Sequence, residues 1–193
     1  MTEALPVPAL DARQRILDSA YDLFARRGIR AVGIDEIRER ADVAKATLYR
    51  HFRSKDELVL AFLEQREQLW TREWVEKEAR SRADTPEEQL LAIFDAFDEW
   101  FHQADFEGCS FINVMLEWAD PDHPIGRASC LHLANIRSFL ATLATEAGLR
   151  EPETFAHSWH ILMKGSIVAA AEGDVDAARR AKSMGRALIE TYR

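Results

Sequence analysis

Residues 28–58 read GIRAVGIDEIRERADVAKATLYRHFRSKDEL, and this stretch decides the fold. Ile34, Ile37 and Ala41 share one side of a short helix, Asp42-Val43 supplies a turn, and a second short helix follows from Ala44 to about Phe52. Leu48 and Phe52 face inward in that second helix. Lys45, Thr47, Tyr49, Arg50 and His51 are left to point outward. Ser54-Lys55-Asp56-Glu57 is a capping box, a hydroxyl followed three residues later by a carboxylate, and it starts the next helix. Upstream, Asp11 to about Arg27 forms a longer support helix, with Asp11 as N-cap, Gln14 as its capping partner and Gly28 as the stop. Its buried face is Ile16, Ala20, Leu23 and Phe24. Two short helices joined by a tight turn behind a longer one make a helix-turn-helix.

Outward from this head the pattern stays helical. A long helix runs from the capping box through Phe62, Trp70 and Trp74 to about Arg82. Thr85-Pro86-Glu87-Glu88 opens the next, which carries Leu90, Phe94, Phe97, Trp100 and Phe101. Ser110 to Trp118 is short and apolar, and residues 120–124 read as a turn. Helices from about Ile125 to Ala147, from Glu151 or Pro152 to near Gly173, and from Val175 to Tyr192 (capped by Asp174) complete the chain. Residues up to about Leu10 read as a loose arm. The fold class is therefore all-α, with about nine helices: residues 1–55 as a helix-turn-helix domain and residues 56–193 as a larger helical body. Only 8 Gly and 6 Pro interrupt 193 residues, which suits a helical bundle.

Charge is distributed unevenly. The chain carries a formal −8, but residues 1–58 hold +1 and the remainder −9. Val43 to Lys55 contains Lys45, Arg50, Arg53 and Lys55 and no acid. A local basic stripe on an acidic protein is the footprint of a nucleic-acid partner. An uncharged run such as Cys109 to Leu116 is far short of the ~20 apolar residues that span a bilayer. No membrane partner is expected, and with no secretory pattern at Met1–Pro6 cytoplasmic residence is the default.

The stretch also resembles the DNA-binding head of the tetracycline-repressor (TetR) family of bacterial transcriptional regulators. The resemblance rests on Ile37, Ala41-Asp42-Val43, Thr47-Leu48-Tyr49-Arg50-His51-Phe52 and Ser54-Lys55-Asp56-Glu57-Leu58. It implies a DNA-binding homodimer, a repressor released from a palindromic operator by a small effector. The DNA-binding candidates are Gly33, Lys45, Ala46, Thr47, Tyr49, Arg50, His51 and Lys55. The chain departs from the family at Val32 and Gly33, where hydroxyls are usual, and at Ala44, where a capping Ser or Thr is usual. Asp42 and Ala46 each replace a usual Gly, and Arg38 replaces a usual Ala, adding a cation.

The resemblance also implies that the last two helices pair with their mates in a second copy. The candidates there are Trp159, Leu162, Met163, Ser166, Met184 and Leu188. Aromatic density on the middle helices makes Trp70, Trp74, Phe97, Trp100, Phe101 and Trp118 candidates for an effector pocket, with Asn113 and His132 as polar anchors. The expected effector is largely apolar and uncharged or weakly charged. No cofactor or metal is expected: His157 and His160 lack a third ligand nearby, and Cys109 and Cys130 read as inert. Neither a phosphate-cradling loop nor a nucleophile elbow is present, so the chain does not read as an enzyme. The competing reading is an all-α binding protein or enzyme for hydrophobic metabolites that retains the head as scaffold.

Overall fold

A computed structural model describes residues 11–118, 120 and 122–193. The expected arm over residues 1–10, and Ala119 and Pro121 beside and within the expected turn, lie outside the described residues. Every regular element among them is helical. Packing divides the chain after Phe62, past both the 55/56 boundary expected from the capping box and the shift in charge near residue 58.

In the first unit, α1 (Ala12–Arg27), α2 (Ile34–Arg40) and α3 (Lys45–His51) form the head. Asp11 caps α1 by accepting from the Arg13 N–H at 3.1 Å. Gln14 does not complete a capping box; its amide donates forward to Asp18 at 2.8 Å. Gly28 ends α1 at φ 77°, and its N–H donates to the Phe24 carbonyl at 3.0 Å. Ile16, Ala20, Phe24, Ile37, Leu48 and Phe52 are buried together. Burying each of the larger side chains is worth about 1.5–3 kcal/mol. Phe62 closes this core, its ring centroid 5.5 Å from those of both Tyr21 and Phe24. That contact is why packing carries the unit past the capping box.

α4 (Lys55–Arg66) begins at the capping box as expected. The Glu57 N–H donates to Ser54 Oγ at 3.1 Å, and the Arg53 N–H donates to Glu57 Oε2 at 2.7 Å. The rod then continues through a π-helical stretch (Glu67–Glu76) into α5 (Lys77–Arg82). Counting that rod once gives nine helices among the described residues.

The second unit adds α6 (Pro86–Phe101), α7 (Ser110–Glu117), α8 (Pro124–Glu146), α9 (Pro152–Ala171) and α10 (Ala177–Tyr192). α8 packs on α7 and α9, α9 on α10, and α10 on α6. Thr85 caps α6 by accepting from the Glu88 N–H at 3.4 Å. The last helix starts later than Asp174 suggests. Asp174 Oδ1 accepts from the Asp176 N–H at 3.0 Å in a turn of its own, and Asp176 occupies the N-cap of α10. Among the described residues, no helix is long and apolar enough to cross a membrane.

Candidate nucleic-acid interface

α3 is held from beneath. Leu48 and the following Phe52 are each 1% exposed, and the Arg13 guanidinium lies 5.1 Å from the Phe52 ring centroid. Fixing those two side chains sends the rest of the helix outward. Lys45, Ala46, Tyr49 and Arg50 are exposed; Thr47 and His51 are half-buried. The side chains of Lys45, Arg50 and Arg53 make no ion pair among the described residues. Several neighbouring cations are neutralised internally: Arg27 pairs with Glu36, and Arg40 with Asp22 at 2.7 Å. Arg38, expected to add a cation, pairs with Glu39 at 2.8 Å and faces Asp35 at 3.7 Å. The uncompensated positive charge is therefore concentrated on α3 and just after it.

Lys55 is placed differently from the other candidates. It is half-buried, and its ammonium donates to the Ile29 carbonyl at 2.6 Å and sits 5.9 Å from the Phe24 ring. Gly33 is the N-cap of α2 and Ala44 that of α3, both extended and neither offering a side-chain acceptor. Their missing hydroxyls leave only backbone N–H groups at the helix starts. Space around Gly33 is open, with nothing within 4 Å of where a Cβ would stand. The turn between them is tight because Asp42 adopts φ 50°, a left-handed conformation that Asp tolerates better than most residues. A short helix presenting unpaired cations, a phenol and a hydroxyl on one convex face can enter a major groove and contact phosphates beside it.

Residues 16–62 match the model of the family described as bacterial regulatory proteins, tetR family. The crystal structure of a TetR-family transcriptional regulator from Streptomyces coelicolor superposes with a TM-score of 0.85. It is 30% identical, over 94% of this chain and 95% of that one. The chain belongs to the TetR family. It is a transcriptional regulator with a DNA-binding helix-turn-helix, and not an enzyme. The HTH-type transcriptional regulator YjdC of Escherichia coli is 26% identical over 175 residues, 87% of this chain and 90% of that protein. The HTH-type transcriptional activator FasR of Mycolicibacterium smegmatis is 47% identical over 58 residues, 30% of this chain and 26% of that protein. TetR-family regulators bind DNA operators and act as dimers.

In this TetR-family body the six aromatic effector candidates divide between buried and half-buried positions. Trp70, Phe97 and Trp100 are buried. Trp74 stacks on Phe97 at 6.1 Å and Phe101 lies 5.5 Å from Phe97. Trp118 meets His123 at 5.6 Å, and Asn113 is exposed. His132 stacks on Phe111, its Nδ1 lies 3.3 Å from Oε2 of the buried Glu67 carboxylate, and Asn135 donates to the other oxygen, Oε1, at 3.1 Å. Burial pushes Glu67 up, but the contacts from His132 and Asn135 outweigh it and leave the carboxyl below its ordinary range. The spacing of apolar residues gave no sign of this buried polar contact.

The dimer candidates separate into two groups. Trp159 is 0% exposed, packed against Phe94 and Phe155 with centroids 5.3 Å away. Met163 and Ser166 are buried too, Ser166 donating to the Met163 carbonyl at 2.8 Å. These three are buried within the body itself. Leu162 and Leu188 are half-buried, and Met184 is 59% exposed. Ile161, exposed on α9, extends that face and was missed. Helix α9 is apolar on two sides, and the spacing of Trp159 and Met163 picks out the inner one.

Proposed function

We propose that this regulator is a homodimeric repressor that binds a palindromic operator and is released by a small, largely apolar effector. The observation that carries the reading is the outward face of α3, where Lys45, Tyr49 and Arg50 stand free above a Leu48–Phe52 anchor. Lys45 reaches a phosphate or guanine edge, Thr47 offers a hydroxyl to phosphate and a methyl to thymine, and Tyr49 and His51 donate to phosphates. Lys55, tethered to Ile29, acts through charge at the start of α4. One such head buries little surface, so specific binding needs two on one duplex. The outer face of α9 and α10, with Ile161, Leu162, Met184 and Leu188 around a groove of about 390 Å³, supports pairing there. An effector bound in the body would favour a conformation whose two heads no longer match successive major grooves.

Selection of bound sequences from random duplexes tests this reading. An enriched palindrome with half-sites about one helical turn apart is expected. No enrichment would contradict the palindromic operator. Transcription from a promoter carrying the selected site then fixes the polarity: repression supports the proposal, and activation, the role in the name of FasR, contradicts it.

A further inference from the structure

A half-open cavity of about 640 Å³ lies within the body, walled by α7, α8 and α9. Small-molecule sites run from about 300 to 1,000 Å³. Ile112 and Met115 of α7, Leu133 of α8 and Ile161 of α9 make much of its wall apolar, Ile161 standing at the border with the groove assigned above to the second copy. Two cations share that wall, Arg137 on α8 and Lys164 on α9, both half-buried. Lys164 has no hydrogen bond or ion pair among the described residues. Arg137 donates from Nη1 to the Leu133 carbonyl at 3.2 Å and has no carboxylate partner. The wall's one acid, Glu172, is exposed and follows the last residue of α9.

Cations partly stripped of water, against apolar surface and without an ion-pair partner, are costly to hold. An anion from solution would offset that cost. The neighbouring His160 senses the same local charge: burial first, then Lys164, Arg137 and His157, bring its pKa down to about 3. His160 is therefore neutral and takes no part in balancing the two cations.

We infer that this cavity binds a small amphipathic anion, its acid head between Arg137 and Lys164 and its hydrocarbon against Ile112, Met115, Leu133 and Ile161. This deepens the effector reading and rests on it only for the consequence, release from DNA. Occupancy has a local reporter, because Cys130 lines the cavity and is exposed. Cys109 is buried, and burial pushes its thiol above the ordinary range, so it reacts slowly.

The test titrates the full-length protein with dodecanoate below its micellar concentration, with dodecanol as neutral control, by calorimetry and by the rate of Cys130 modification with a thiol reagent. Dodecanoate should bind saturably and slow the modification. Lys164→Met and Arg137→Met should each weaken it about tenfold or more, Lys164→Arg should restore most of the loss, and dodecanol should be indifferent to all three. The inference is overturned if dodecanoate does not saturate, if dodecanol binds equally well, or if the charge substitutions change nothing. It is equally overturned if Cys130 is already unreactive without ligand because a second copy fills the cavity. A mobility shift on the selected operator separates the two claims. Binding without release keeps the site and removes the effector role for such anions; release by other compounds without dodecanoate binding does the reverse.

Discussion

Ala44 holds φ −67° and ψ 150° at the start of α3, the extended geometry of a capping residue, yet brings no side-chain oxygen to the N–H groups that follow it. Ala44→Ser should therefore stabilise the protein by about 1 kcal/mol, read as a higher urea midpoint at unchanged slope. No gain would mean that the head already satisfies those donors in another way. This gap was legible, because a cap is a local matter of residue type and position. The fate of His160 was not. His157 and His160 stand three apart on α9, and only the neighbouring helices decide that the second is 2% exposed. Its folded pKa of about 3 lies below the ordinary 6.5, so between those values the unfolded chain takes up a proton that the folded one refuses. Stability from this residue is complete above pH 6.5 and drains away as pH falls towards 3. Between pH 7 and 5 the loss is about 2 kcal/mol. His160→Gln should flatten that part of the stability–pH curve; an unchanged curve would contradict the burial argument.

Elements were easiest to place where caps and breakers mark them. Asp11, Ser54, Thr85 and Gly28 each sit where their chemistry predicts, and the helices between them follow. The π-helical stretch left no such mark. An extra residue in a turn changes the spacing of Leu69, Trp70 and Trp74 too little to register, although such stretches are rare and gather at functional places. Close packing between helices was equally hidden. A Cβ on Gly185 of α10 would stand 2.7 Å from Trp159 Cη2 and 3.4 Å from Phe94 Cε2. Gly to Ala in a helix interior normally gains about 1 kcal/mol. Here it should instead cost about 1–3 kcal/mol through overpacking, visible as a lowered urea midpoint. A stabilised variant would show that Trp159 yields easily.

For the whole molecule, the division of charge into a near-neutral head and an acidic remainder was legible from residue counts, and it points to the end that meets DNA. The surface that meets a second copy was legible only in part, since apolar spacing does not distinguish the two sides of α9. Met184→Glu, on the outer face of α10, should shift the protein towards monomer in sedimentation and weaken operator binding while leaving helicity intact. Retention of the dimer would move the interface elsewhere. The central claim is that a few free groups on α3 carry an acidic protein onto DNA. Operator affinity measured across salt concentrations, for the native chain and for Lys45→Ala, tests it most directly. The account predicts a steep fall in affinity with salt, shallower in the variant by a slope of about 1 for each head. A flat dependence, or one that Lys45→Ala leaves untouched, would contradict it.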